Sequence, residues 1–222
     1  MPGKKQQSGK EAVLVICAHN DDQVIGCGGT MAKYALEGKK VHTLVFSYGE
    51  ASHPWLKPEI VKDMRLKELI DSNKILGGAS VKVYGLSEGK FPKEIQNKNI
   101  IAKLRSEISS KKPLRIFTHS PDDPHPDHRA VLRAVLDAVS GMENPPPVFT
   151  FSVWNPIRLK KRDSPKLVVD ISKTFKTKLA AFRAHKSQKA TWFTLIGTIL
   201  ARDFLNGIKH KTRFAEVFFK VK

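Results

Sequence analysis

Cysteine is scarce in this chain of 222 residues, which contains two, Cys17 and Cys27. Two cysteines cannot build the framework of bridges that stabilises small disulfide-rich proteins. A bridge between them would join a predicted strand to the helix that follows it, with no second bridge nearby. Two reduced and mostly buried thiols are therefore the favoured interpretation, and they indicate a reducing compartment, the cytoplasm.

Long apolar runs are also lacking. The longest, WFTLIGTILARDFL from Trp192, meets Arg202 and Asp203 well before the roughly 20 apolar residues that a bilayer crossing needs. The opening MPGKKQQSGKE is basic and polar, and it lacks the apolar core and cleavage site of a secretory signal. We expect no transmembrane helix and a single domain over residues 1–222, of which 1–10 form a loose basic tail.

Acidic residues are few, 21 against 39 lysines and arginines, so the formal net charge is +18. Such a charge attracts polyanions such as nucleic acid, anionic lipid headgroups and phosphorylated substrates. The basic residues are dispersed, however, and the aromatic platforms of a nucleic-acid groove are not interleaved with them. A solvated basic surface is the plainer interpretation. This charge pattern does not exclude that the chain forms a homo-oligomer.

What the chain does have is an alternation of short apolar strands with helical patterns. The runs AVLVICA, VHTLVFS, VKVYGL and LRIFTHS are typical strands, and amphipathic segments separate them, including one helix predicted over Glu94 to Ser110. This order predicts an α/β fold, a Rossmann-like doubly wound and mostly parallel sheet with helices on both faces. Three further strands, VFTFSVW, KLVVDIS and TRFAEVFFKV, and two helices complete the last third.

Two polar clusters come directly after predicted strands. His19, Asp21 and Asp22 follow the first strand, and HPDH, residues 125–128, follows the fourth. Ligands of parallel sheets bind outside the carboxyl ends of the strands, so both clusters should lie at the same edge of the sheet. A separation of about a hundred residues in sequence is therefore compatible with a shared site.

These residue types fit a catalytic zinc site. Such a site uses three histidine or carboxylate ligands and keeps an open position for water. His19, Asp22 and His128 supply that set. Asp21 would then be the general base for the bound water, and His125 could stabilise an oxyanion or protonate the leaving amine.

Structural roles compete with this interpretation. Two aspartates before a helix can simply cap it and favour its dipole, and a four-residue pattern such as HPDH has many chance matches. Asp127 could orient a histidine through its second ring nitrogen. Because both clusters follow a strand and open a helix, the metal interpretation is favoured over capping.

At these residues the chain resembles the PIG-L/LmbE family of zinc-dependent N-acetylglucosaminyl deacetylases. AHNDDQVIGCGGT resembles the AHPDDE…GCGGT signature, and THSPDDPHPDHRA resembles the HPDHR signature. MRLKELIDSNKILGG, LSEGKF and AFRAHKSQ are similar to further family segments in the same order. The resemblance covers most of the chain.

The resemblance implies a hydrolase that removes the N-acetyl group from an N-acetylglucosamine-type sugar in a glycoconjugate or short oligosaccharide. It assigns zinc, or Fe²⁺ or Co²⁺, to His19, Asp22 and His128, the base to Asp21, and the acid or electrostatic partner to His125. The basic surface suits an anionic or lipid-linked acceptor.

The resemblance also places residues around the reacting groups. Arg65 would contact sugar hydroxyls, His185 would lie near the substrate, and Asp127 and Gln23 would support the ligands. Gln23 stands where the family has glutamate, which removes a negative charge from the site. The alternative function is a basic protein that binds nucleic acid or an anionic surface on a degenerate deacetylase fold.

Overall fold

A computed structural model describes residues 11–154 and 164–222. The predicted tail 1–10 and a short basic run, RLKKR at residues 158–162, lie outside the described residues. The described residues form seven strands, which in chain order are β1 (Ala12–Cys17), β2 (Lys40–Val45), β3 (Ser80–Val83), β4 (Arg115–His119), β5 (Val148–Phe151), β6 (Lys166–Asp170) and β7 (Ala215–Lys220). They make one sheet in the order β3-β2-β1-β4-β5-β7-β6.

Helices connect most of these strands. They are α1 (Asp22–Leu36), α2 (Pro58–Ile75), α3 (Phe91–Asn97), α4 (Ile100–Lys111), α5 (Pro126–Ser140), α6 (Phe175–Arg183) and α7 (Lys189–Lys209). The prediction of one helix over Glu94 to Ser110 was wrong, because the chain forms α3 and α4 there. Asn99 between them has φ 51°, a left-handed conformation that asparagine tolerates and that ends a right-handed helix.

The predicted sheet architecture is confirmed. The first five strands of the sheet order pair in parallel, and β7 pairs antiparallel with both β5 and β6. In β1, Val13 and Val15 pack into a cluster with α1, α6 and α7, whereas Leu14 and Ile16 pack into a cluster with α3, α4 and α5. A strand that is apolar at every position, as β1 is, thus has both faces covered by helices.

The strand order changes direction beside β1. From β1 the chain passes outward through β2 and β3, then returns to place β4 on the other side of β1 and continues to β5. A crevice forms at such a switch point, outside the carboxyl ends of the two central strands. The two predicted polar clusters follow β1 and β4, so the topology directs both of them to this crevice.

Helix α1 breaks at Cys27, whose φ of −147° and ψ of 20° are not helical. The glycines around it allow close packing, since a Cβ atom on Gly26 would overlap the Phe151 ring and one on Gly29 would lie 2.7 Å from Ile171. The break frees backbone groups from the helix ladder. Side chains from the last third of the chain bind them: Glu216 accepts hydrogen bonds from the Gly29 and Thr30 amides.

Both cysteines are free and buried. Within the described part of the chain, no helix is both long and apolar enough to span a membrane. The single-domain assignment and the cytoplasmic location stay predictions.

Candidate metal centre and its pocket

The loops after β1 and β4 bring three side chains together, His19, Asp22 and His128. His19 Nδ1 lies 3.3 Å from His128 Nε2. One carboxylate oxygen of Asp22 lies 3.4 Å from His128 Nε2, and the other lies 3.5 Å from His19 Nδ1. One donor atom from each residue falls within a common span of 4.8 Å.

Asp22 is fixed from several sides. It is the first residue of α1, and its Oδ2 accepts a hydrogen bond of 2.8 Å from the His19 amide. Its Oδ2 also lies 3.3 Å from Nε2 of the buried His119, the last residue of β4. Burial opposes its charge, but His128 and His119 outweigh burial and hold the pKa of Asp22 well below its usual range.

A carboxylate lies beside the outer ring nitrogen of each histidine of the group. Asp123 Oδ1 is 2.9 Å from His128 Nδ1, and Asp127 Oδ2 is 3.5 Å from His19 Nε2. Glu88 is 3.7 Å from the same nitrogen of His19. Carboxylates in this position set the orientation and basicity of metal-binding histidines.

These carboxylates raise the pKa values of the two histidines, His19 and His128. Burial alone would lower the pKa of His19, but hydrogen bonds to Asp127 and Asp22 raise it to about 10. Burial likewise opposes protonation of His128, and Asp22 and Asp123 raise its pKa to about 9. Both rings therefore hold a proton more readily than a free imidazole does.

Sequence reasoning missed His119 and Asp123. Both lie within the quoted segment THSPDDPHPDHRA, ahead of its HPDH pattern. His119 Nε2 accepts a hydrogen bond from the Ala18 amide, and its ring stacks on His128 at 3.9 Å. Together with His128 they form a second, overlapping group of donors that is fully buried, and neither His119 nor Asp123 lines the pocket.

A pocket of about 510 Å³ opens over the group, and Asp21 and Arg65 form part of its wall. Asp21 is the N-cap residue of α1, yet its side chain makes no capping hydrogen bond. Its Oδ2 lies 3.6 Å from Arg65 Nη2. Arg65 is 2% exposed, and its Nε and Nη1 have no hydrogen-bond partner among the described residues. Asp21 is thus available to the pocket.

His125 stands at the start of α5 and also lines the pocket. The Asp127 amide donates to His125 Nδ1 over 3.2 Å, so a neutral ring carries its proton on Nε2. Burial, together with His19 and His128, lowers the pKa of His125. The ring is therefore suited to donate a hydrogen bond from Nε2 while it is neutral.

Neither of the two remaining predicted residues, His185 and Gln23, is among the residues that line the pocket. His185 is 3% exposed, is not among the residues that line the pocket, and has both ring nitrogens without a hydrogen-bond partner in the described chain. Burial lowers its pKa to about 4. Gln23 is buried and donates to the Asn20 carbonyl, which fixes the turn between His19 and α1. Glu68 accepts hydrogen bonds from the amide and hydroxyl of Ser187.

The geometry and the charge of this site fit a divalent cation. Tetrahedral coordination with bonds of about 2.1 Å separates ligand atoms by about 3.4 Å, close to the separations within the group. The pocket wall is also acidic, since Asp21, Asp22, Glu88 and Asp127 line it, whereas Arg65 is the one arginine or lysine among the described lining residues. A cation would balance these carboxylates.

Comparison with known proteins gives matches over most of the chain. The model of the PIG-L family, GlcNAc-PI de-N-acetylase, matches residues 14–139. A Bacillus cereus protein described as a probable N-acetyl-alpha-D-glucosaminyl L-malate deacetylase 2 is 30% identical over 79% of this chain and 83% of its own length. The 4-oxalmesaconate hydratase of Pseudomonas putida is 28% identical over 82% of this chain and 76% of its own length.

Among solved structures, the N,N'-diacetylchitobiose deacetylase of Pyrococcus horikoshii matches with a TM-score of 0.78 and 24% identity. The match covers 96% of this chain and 84% of that one. At this identity the match concerns the fold, and the fold extends well beyond the residues that the family model matches.

Proposed function

Because the chain belongs to the PIG-L family of GlcNAc-PI de-N-acetylases, we propose that it is a metal-dependent hydrolase that removes the acetyl group from an N-acetylglucosamine-type sugar in a glycoconjugate or oligosaccharide. Relatives that carry deacetylase names, such as the Bacillus cereus protein, support this reaction. The observation that carries the proposal is the close approach of His19, Asp22 and His128 beneath an acidic pocket.

The proposed ligands are the three residues of that group. Two imidazoles and one carboxylate are typical of zinc, and Fe²⁺ or Co²⁺ suits the same donors. A bound cation of this kind would polarise the acetamide carbonyl and lower the pKa of its water toward about 7. Asp123 and Asp127 orient the two histidines from their far sides.

Asp21 is the proposed general base. Its carboxylate faces the pocket and makes no helix-capping hydrogen bond. Asp21 also directly precedes the proposed ligand Asp22 in the sequence. It would take the proton of the attacking water and return it to the amine that leaves. Arg65, whose Nη2 lies 3.6 Å from Asp21 Oδ2, keeps the Asp21 carboxylate in place, and as part of the pocket wall it is the proposed contact for sugar hydroxyls.

His125 is the proposed partner of the oxyanion. Its Nδ1 is occupied by the Asp127 amide, which leaves the Nε2 proton for the tetrahedral intermediate. A neutral ring is a poor acid, so the proton of the leaving amine is assigned to Asp21. Acetate and a free amino sugar are the products.

The test is acetate release from N-acetylglucosamine and N,N'-diacetylchitobiose by the purified protein. We expect release after addition of zinc, loss of release after chelation, and recovery when zinc or cobalt is restored. Asp22→Ala, which removes one proposed ligand, should also lose release, and Asp122→Ala is its matched control because Asp122 is exposed and lies outside the pocket wall. A rate that chelation leaves unchanged would contradict the metal assignment.

Hydration of a carbon–carbon double bond is the second candidate reaction, favoured by the similarity to the Pseudomonas putida hydratase. An activated water and a base are needed for both reactions, and Arg65 could bind a substrate carboxylate. Loss of the ultraviolet absorbance of an unsaturated dicarboxylate, without acetate release from acetylated sugars, would favour the hydratase.

Binding of nucleic acid or of an anionic surface stays a prediction from the net charge. Its test is salt-dependent binding that survives Asp22→Ala.

A further inference from the structure

Trp154 and Trp55 are both exposed to solvent, but they differ in whether they line the pocket. Trp154 is 46% exposed and Trp55 is 75% exposed. Trp154 lines the pocket over the metal centre, whereas Trp55 does not. A large apolar side chain that is partly in water and partly in a pocket wall presents a surface that a ligand can cover.

The position of Trp154 is fixed relative to the proposed metal ligands. The amides of Val153 and Trp154 lie 3.2 Å and 3.5 Å from Asp123 Oδ2. The other oxygen of Asp123 is 2.9 Å from His128 Nδ1. The carbonyl of Ser152, the residue before Val153, accepts a hydrogen bond from Arg202. One carboxylate therefore anchors both a proposed ligand and the backbone of the tryptophan.

The pocket wall is not uniform. The acidic residues stand around the proposed metal and the base, while Trp154 has Val153 beside it, and Ile25 and Gln188 contribute further uncharged surface. The pocket volume of about 510 Å³ lies in the range of pockets that bind drug-sized ligands. Such ligands are larger than one acetylated hexosamine. The pocket has room and apolar surface for a part of the substrate that does not react.

We propose that Trp154 is the platform of an acceptor subsite, on which the C–H face of a second pyranose ring packs against the indole. This inference rests on the proposed function, and it makes the preferred substrate an acetylated disaccharide or glycoside rather than a free amino sugar. An indole suits this ligand because a pyranose face is apolar while its rim of hydroxyls stays in water. Gln188 lines the same pocket and offers an amide to such hydroxyls.

The test compares kcat/KM for N-acetylglucosamine and N,N'-diacetylchitobiose. We expect Trp154→Ala to lower kcat/KM for the disaccharide about 3- to 10-fold, mainly through KM, and to leave the monosaccharide value nearly unchanged. Trp154→Phe should keep much of the preference. Trp55→Ala is the matched control and should change neither value. An equal loss on both substrates in Trp154→Ala would overturn the subsite, as would a loss of the same size in Trp55→Ala.

A binding measurement separates this inference from the proposed reaction. In zinc-loaded Asp21→Asn protein, the disaccharide should change the tryptophan fluorescence, and the change should disappear in Asp21→Asn/Trp154→Ala. Trp154-dependent binding without acetate release by the parent enzyme would preserve the subsite and reject the reaction. Acetate release without any binding that depends on Trp154 would reject the subsite and preserve the reaction.

Discussion

Two buried groups of charged side chains contact helix α1, one at its start and one at its break. The strand-end cluster consists of His19, Asp22, His119, Asp123 and His128. The helix-break cluster consists of Lys178, Arg202, Asp203 and Glu216, joined by ion pairs of 2.6 to 2.9 Å. Both groups are charged and buried, but only the strand-end cluster opens to the pocket, through His19 and Asp22.

The helix-break cluster balances itself. Lys178 bridges Asp203 and Glu216, and Arg202 pairs with Asp203. The same side chains bind the backbone that the break at Cys27 frees, because Arg202 donates to the Ile25 carbonyl and Glu216 accepts from the Gly29 amide. The charges of this cluster neutralise one another, and its side chains link α1 to α6, α7 and β7.

The strand-end cluster reaches charge balance only by binding protons. Its acidic residues, Asp22 and Asp123, face histidines that become positive only by binding protons, and the carboxylates raise the pKa of two of them. A group of ligands in this state can exchange protons for a metal ion. We therefore infer that the helix-break cluster stabilises the fold, and we propose that the strand-end cluster binds a metal ion.

The largest effect is expected at the base. Asp21→Asn keeps the shape of the side chain but removes the proton acceptor, so acetate release should fall by about 10²- to 10⁴-fold. Zinc content and thermal stability should stay close to those of the parent protein. Steady-state rates and elemental analysis on the same preparation measure both, and an active Asp21→Asn protein would reject Asp21 as the base.

Removal of Lys178 should be the largest change in stability. Lys178→Met leaves Glu216 without its cation in a buried site, which should lower the free energy of unfolding by about 3–5 kcal/mol. Denaturant unfolding followed by circular dichroism measures the change. Activity per folded molecule should remain, because Lys178 lies outside the pocket wall. A cost below about 1 kcal/mol would contradict the stabilising role of the cluster.

Asp123 should affect metal affinity more than stability. Asp123→Asn weakens the contact that orients His128, and loss of such a partner lowers metal affinity by about 10- to 100-fold. Competition with a zinc-binding dye gives the affinity, and Asp122→Asn is the matched control next to it. Equal affinities in the two variants would show that Asp123 does not support the ligand.

The smallest effect is expected at Gly26, which directly precedes the break at Cys27 in α1. A Cβ atom on Gly26 would overlap Phe151, so Gly26→Ala should cost about 1–3 kcal/mol by overpacking. Gly38→Ala is a useful contrast, because its cost comes from a φ of 81° rather than from contact with a neighbour. Loss of stability in Gly26→Ala that Phe151→Ala partly reverses would support close packing as the cause.

The sequence predicted the sheet and the two polar clusters at its edge because both depend on local patterns. The apolar run of β1 and the clusters after β1 and β4 are continuous in the chain. The helix-break cluster has no such pattern, because Lys178, Arg202 and Glu216 are far apart and meet only at a break in α1. Asp123 was missed since nothing in the sequence shows that His128 turns its second nitrogen toward it.

The central claim is tested most directly by metal content. Purified protein offered zinc at neutral pH and then dialysed should contain about one zinc per chain, and Asp122→Ala should contain the same amount. Asp22→Ala should contain almost none, although its fold, followed by circular dichroism, is kept. Equal metal in the two variants, or no metal in the parent protein, would contradict the assignment of His19, Asp22 and His128 as a catalytic metal site.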